Sequence, residues 1–271
     1  MELLVKYETD EKVGIVTLNR PTKLNALSKE LRVQLLDAFC KADDDPATCV
    51  VILRGEGRSF CVGYDITGGD PDKEAWKHDA LKWHENLRES LALELTPWDM
   101  KKPVIASVQG HALGGGCELA MLCDITIAAS DASFGEPEVR FSNLGPAIVM
   151  PWLIGFKKAR ELLYMGDSIN AEEALRLGMI NKVVPVDELR VATLKFAKRM
   201  TLVSPEALYA GKLSINRGAE AAGFRNALNV GIDVVAPLYA AKTEFGVKFH
   251  EIKKKDGLEA ALKWRAAQFK E

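Results

Sequence analysis

Three consecutive glycines, Gly114-Gly115-Gly116, stand between a β-branched apolar run at 103–108 and a segment that reads as a helix from Cys117. Each glycine gives up more backbone entropy on folding than alanine would, so a triplet implies positive φ or a backbone approached too closely for a Cβ. The N–H groups that open the following helix lack intrahelical acceptors and lie at the positive end of its dipole. They can receive an anion or a developing oxyanion, although a tight turn packed against a sheet uses glycines in the same way. A second glycine-bearing turn, at 59–66, also follows a strand and offers another outward N–H.

The order of strand, glycine-rich turn and helix recurs along the chain. Residues 3–7 and 13–18 read as a hairpin joined by the polar turn 8–12. Ser28 is placed to cap a helix whose Leu31, Leu35, Leu36 and Phe39 share one face. A buried strand at 49–53 precedes the turn, and a helix presenting Trp76, Ala80, Trp83, Leu87 and Leu91 runs to about residue 95. Strands at 103–108 and 124–129 flank the triplet and its short helix. The class expected is α/β, built from recurring ββα units. From 205 onward the periodicity is helical, at 207–216, 220–235, 243–255 and 258–269. Two regions are therefore expected, a ββα core at 1–200 and a helical region at 201–271.

Composition narrows the partners. Lys and Arg number 36 against 38 Asp and Glu, a formal charge of −2, without the positive field expected of a nucleic-acid or anionic-membrane binder. The longest uncharged stretch, 141–156, contains two prolines and is too short to span a bilayer. The N-terminal residues are charged, unlike a signal peptide, so a cytoplasmic location is expected. Cys40, Cys49, Cys61, Cys117 and Cys123 are odd in number and form no CxxC, which predicts reduced, buried thiols. His78, His84, His111 and His250 have no ligand spacing, so no metal is expected. Signatures of serine nucleophiles, zinc proteases and nucleotide-binding loops are missing.

Two carboxylates remain as candidates for chemistry. Glu118 follows the triplet closely, and Glu138 lies twenty residues later in Ser133-Phe134-Gly135-Glu136-Pro137-Glu138. Either can be a surface or capping residue. Beside an oxyanion turn, desolvation would raise their pKa values and let them divide the proton-in and proton-out roles.

In this order the motifs resemble the crotonase, or enoyl-CoA hydratase/isomerase, superfamily over nearly the whole chain. The resemblance rests on Asn19-Arg20-Pro21, on Lys23-Leu24-Asn25-Ala26-Leu27, on the turn from Phe60 to Ile66, and on residues 113–120, 124–129, 134–138 and 177–184. It implies a crotonase-like spiral of ββα units followed by a helical trimerisation region, assembled as a homotrimer or a hexamer formed as a dimer of trimers. The implied substrate is an acyl-CoA thioester, with coenzyme A entering as part of the substrate and no separate cofactor. The resemblance implies oxyanion donors at the Val62 and Gly115 N–H groups, and CoA contacts at Lys23, Leu24, Ala26, Gly63, Tyr64, Asp65 and Ile66. Both family glutamates are present, as Glu118 and Glu138. This implies a lyase of fatty acid metabolism, an enoyl-CoA hydratase in which Glu138 protonates the α carbon and Glu118 assists hydroxide at the β carbon. Double-bond isomerisation or thioester hydrolysis is the alternative, and less directly a non-catalytic acyl-CoA- or RNA-binding scaffold. Tyr64, Trp83, Trp98 and 148–152 are candidates for the acyl pocket. The chain departs from the family at Val62, across 143–151 and at Ala261.

Overall fold

The computed structural model describes residues 2–67 and 71–269. It opens with a hairpin, β1 (Val5–Asp10) against β2 (Val13–Leu18), whose first strand runs further into the polar turn than its apolar pattern suggests. Ser28 caps α1 (Lys29–Asp44) by accepting the Leu31 N–H. Leu31, Leu35 and Phe39 are buried, but Leu36 is exposed, because i+5 from Leu31 points away from the face set by i+4 and i+8. Then follow β3 (Val50–Gly55), α2 (Pro71–Trp76), α3 (Ala80–Glu94), α4 (Thr96–Asp99) and β4 (Val104–Val108). The triplet lies between β5 (His111–Leu113) and α5 (Gly115–Leu122), so that helix begins two residues earlier than its sequence signal.

The second half contains β6 (Ile125–Ala129), β7 (Ser133–Gly135), a 3₁₀ turn over Pro137–Phe141, α6 (Met150–Met165), β8 (Ser168–Asn170), α7 (Ala171–Arg176), β9 (Lys182–Val184) and α8 (Leu189–Met200). The last four helices are α9 (Pro205–Ala221), α10 (Phe224–Ala240), α11 (Glu244–Asp256) and α12 (Leu258–Ala267), close to the four periodic segments expected. One sheet has the order β1-β2-β3-β4-β6-β9 and is parallel except for the hairpin; a smaller sheet has the order β5-β7-β8. Strands β2, β3 and β4 are buried along nearly their whole length, as expected of parallel strands covered on both faces.

Helix α10 returns over the core: its Leu228, Ile232, Val235 and Ala236 are buried, and Tyr239 packs on Trp83 of α3 at 4.7 Å between ring centroids. Cys49, Cys61, Cys117 and Cys123 are buried free thiols; Cys40, on the outer face of α1, is exposed, contrary to expectation. Among the described residues no helix is long and apolar enough to cross a membrane.

Candidate active site

The two glycine turns are stitched together by backbone hydrogen bonds. Cys61 donates to His111 O at 3.0 Å, Leu113 to Cys61 O at 2.9 Å, and Gly114 to Gly135 O at 2.9 Å. The last bond holds the segment bearing Glu136 and Glu138 beside the triplet. Asn25 ties in the N-terminal segment, its side-chain amide donating to the carbonyls of Glu56, Ser59 and Phe60 while Leu27 N–H reaches Gly63 O at 2.8 Å. An ion pair between Arg20 and Asp65, at 2.5 Å, closes this corner.

Each glycine of the triplet has its own reason. Gly114 adopts φ +52°, and a Cβ there would collide with the Glu138 carboxyl. A Cβ on Gly115 would lie 2.6 Å from Tyr64 Cε2 and 2.9 Å from Glu94 Oε1; one on Gly116 would strike the Cys61 carbonyl. The triplet thus lets three groups meet one backbone at van der Waals distance.

The side chains gathered there are four carboxyls. Glu94, Glu118 and Glu136 are fully buried, and Glu138 is half-buried. Glu94 accepts the Tyr64 hydroxyl at 2.6 Å, and Glu118 accepts the Ala147 N–H at 2.7 Å. That N–H comes from the segment departing from the family pattern, where Gly145 leaves room for the Glu118 carboxyl. Among the described residues no donor reaches Oε2 of Glu94, Oε2 of Glu118 or either oxygen of Glu136. Burial pushes Glu138 up to about 7. Burial, with the nearby charge of Glu138, pushes Glu94 up to about 8. Glu118 and Glu136 are driven well above the usual carboxylate range by burial and then by their acidic neighbours. The physical cause is common to all four: carboxyls crowded in a poorly solvated space cannot all be ionised. The cluster therefore holds protons at neutral pH that exposed glutamates would have lost.

The structure departs from expectation at Val62. Its N–H donates to Leu24 O at 3.2 Å and is already committed. Two residues on, after the positive φ of Gly63, the Tyr64 N–H meets no acceptor among the described residues; nor does the Gly115 N–H in the first turn of α5. These two lie close together, since a Cβ on Gly63 would be 3.2 Å from Gly115 N. Leu24, Ala26, Gly63, Tyr64, Asp65 and Ile66 border this corner, and Lys23 is exposed beside it. Trp83 packs between Trp76 and Tyr239, whereas Trp98 stacks on Phe224 at 4.6 Å. A cavity of about 470 Å³ beside Trp98 is lined also by Lys212, Asn216 and Arg225, and none of the four glutamates borders it. His111 pairs with Ser133 Oγ at 2.9 Å, a structural role.

Glu94 and Glu136 are not singled out by sequence reasoning, although both carry a signal. Leu87, Leu91 and Glu94 follow i, i+4, i+7, placing the glutamate on the buried face of α3. Glu136 lies two residues after the buried Phe134, on the same side of the extended segment that leads into the 3₁₀ turn over Pro137–Phe141.

The fold and this carboxyl-lined corner agree with the relationships of the chain. The family model for enoyl-CoA hydratase/isomerase matches residues 8–259, and the chain belongs to that family. A crotonyl-CoA hydratase from Syntrophomonas wolfei is 37% identical over 268 residues, covering 97% of this chain and 96% of the relative. A short-chain-enoyl-CoA hydratase from Clostridium acetobutylicum is 35% identical, covering 96% and 95%. The crystal structure of an enoyl-CoA hydratase/isomerase from Xanthobacter autotrophicus Py2 superimposes with a TM-score of 0.93 at 35% identity, covering 99% of both chains.

Proposed function

We propose that this chain is an enoyl-CoA hydratase, adding water reversibly to a trans-2-enoyl-CoA to give a 3-hydroxyacyl-CoA. The observation that carries the reading is that two carboxyls, Glu118 and Glu138, lie beside two N–H groups with no acceptor among the described residues. The thioester oxygen sits between the Tyr64 and Gly115 N–H groups, where it gains charge as the enolate forms. Preorganised donors stabilise that charge more than the ground-state carbonyl, by about 3–4 kcal/mol for a single donor in comparable sites.

In hydration, Glu118 takes a proton from water as its oxygen bonds to the β carbon, and Glu138 gives a proton to the α carbon. In dehydration the ionised Glu138 removes the α proton and protonated Glu118 supplies one to the leaving hydroxide. Both directions start with one proton on the pair, on opposite members. Lys23, Leu24, Ala26, Gly63, Tyr64, Asp65 and Ile66 contact the CoA part of the substrate, and no separate cofactor takes part. Exposed apolar residues Leu202, Ile215, Val230 and Val234 on and before the C-terminal helices support assembly as a trimer or a dimer of trimers. The net charge of −2 supports an enzyme that binds neither nucleic acid nor membrane, and the charged N-terminal residues support a cytoplasmic location.

The test is loss of the enoyl-thioester absorbance when the protein is added to crotonyl-CoA. No change with short, medium and long acyl chains alike would sink the hydratase reading; conversion of a 3-enoyl-CoA instead would make the enzyme an isomerase. A monomer by sedimentation at micromolar concentration would overturn the assembly.

A further inference from the structure

Glu94 has no part in that mechanism, yet it touches both halves of the site. It sits fully buried at the C-terminal end of α3. Its Oε1 accepts the Tyr64 hydroxyl at 2.6 Å and lies over Gly115, 2.9 Å from where a Cβ would stand. Its Oε2 meets no donor among the described residues, nor does Oε2 of Glu118, and the two buried carboxyls are close enough for each to bias the other's ionisation. Two neighbouring buried carboxyls, each with an oxygen left without a donor, are costly, and one proton between them removes the deficit.

We propose that Glu94 is a positioning residue for the reaction. One of its oxygens holds Tyr64, and with it the turn that carries the Tyr64 N–H; the other shares a proton with Glu118, the carboxyl that handles water. The inference rests on the hydratase reading and deepens it. Glu118 must be a base in one direction and an acid in the other. A carboxyl neighbour suits both states, accepting while Glu118 is protonated and donating when Glu118 is ionised. Exchange of the shared proton breaks one O–H bond and makes another. In hydration the proton taken from water is added to the Glu94–Glu118 pair while Glu138 gives one to the α carbon, so the total over the three carboxyls is unchanged. Glutamine cannot do this: its oxygen is engaged by Tyr64, and its amide can only donate, which favours ionised Glu118.

The groups that face Glu94 come from several elements. They are Arg32 from α1, Cys61 and Tyr64 from the turn, Glu118 from α5, Glu136 and Glu138 after β7, and Tyr239 from α10. Arg32 is the cation of this set; the other ionisable groups are acids. Burial, opposed in part by Arg32, leaves Glu94 protonating near neutrality, at about 8.

The experiment compares wild type, Glu94→Gln and Tyr64→Phe in crotonyl-CoA hydration across pH, together with infrared titration of the ligand-free proteins. Glu94→Gln is expected to lower kcat about tenfold, keep KM within about twofold and move the alkaline limb of the profile down by about one pH unit. Tyr64→Phe should lower kcat without moving that limb. In the infrared, part of the protonated-carboxyl C=O band persisting near neutral pH should vanish in Glu94→Gln and remain in Tyr64→Phe. An unshifted limb together with an unchanged band would overturn the proposal. Failure of the wild type to hydrate any enoyl-CoA would overturn the hydratase reading instead, while the infrared band still decides whether Glu94 and Glu118 share a proton.

Discussion

Replacing Gly114 by alanine should separate the cost to the fold from the cost to the chemistry. Gly114 has φ +52° and ψ −130°, a conformation that side chains disfavour, and its N–H is fixed to Gly135 O at 2.9 Å. The backbone cannot rotate away without breaking the bond that holds the Glu138 segment. Strain of this kind costs about 1–3 kcal/mol, which in a chain of this size lowers Tm by roughly 3–10 °C. The new Cβ also collides with the Glu138 carboxyl. That carboxyl ends a flexible side chain, so moving it adds little to the unfolding cost. It is nevertheless the group placed to exchange a proton with the α carbon, and losing a positioned acid/base group costs about 10²–10⁴ in rate. The assay is hydration of crotonyl-CoA, with KM and thermal unfolding measured on the same preparation. The expected result is a folded protein with a modestly lower Tm, a nearly unchanged KM and kcat reduced a hundredfold or more. Gly211→Ala is the control, because its Cβ, on α9, would meet nothing within 4 Å; it should be neutral or stabilising by about 1 kcal/mol. Gly114→Ala with wild-type kcat would show that Glu138 does not need the position the glycine leaves open.

Glu138→Gln should lower hydration by about 10²–10⁴ while CoA-ester affinity survives, and Glu118→Gln should impair hydration similarly while sparing any one-carboxyl isomerisation of a 3-enoyl-CoA; paired rate and binding measurements check both. Lys212→Met removes a buried ammonium that donates to Pro97 O at 2.6 Å and pairs with Asp124 at 2.7 Å; the partly exposed Asp124 carboxylate keeps the Val104 N–H, so the loss should be about 1–3 kcal/mol in denaturant unfolding. Glu94 and Glu138, raised to about 8 and about 7 by burial, make the folded state bind more protons than the unfolded state above pH 4.5. Their contribution is therefore complete below the unfolded pKa and is lost as pH rises through 7 and 8, so unfolding midpoints should fall from pH 6 to pH 9, and Glu136→Gln should flatten that slope.

The fold was legible wherever one pattern sufficed. The Ser28 cap, the buried β2, β3 and β4, and the four C-terminal helices follow from periodicity and from local hydrogen-bonding preference. The misses fall where two segments decide jointly. Leu36 looks like core until the helix face is resolved by one residue, and the start of α5 depends on Gly114 being held by Gly135, a partner about twenty positions away. Val62 illustrates the same limit at the site. Which N–H of a turn points outward depends on where the chain crosses Leu24, and no local property of residues 60–66 discloses that. Glu94 was overlooked because a glutamate near a helix end reads as solvated, although its i, i+4, i+7 spacing with Leu87 and Leu91 puts it on the buried face of α3.

The glycines and the glutamates are two sides of one physical requirement. An exposed glutamate is ionised at neutral pH and has no proton to give to carbon. A carboxyl that can give one must be taken from water and crowded by its own kind, at a cost to stability. Glu118 gains that state from burial and from the proximity of Glu94, Glu136 and Glu138. Such crowding needs backbone without side chains: Gly114 admits Glu138, Gly115 admits the Glu94–Tyr64 pair, and Gly145 admits Glu118. The outward Gly115 N–H is a by-product of the same geometry, since a segment stripped of Cβ atoms to receive carboxyls also exposes its amides. Several turns meeting at the triplet therefore place proton carriers and oxyanion donors within reach of one substrate, and altering any of these three glycines should perturb the acid/base chemistry before it unfolds the protein.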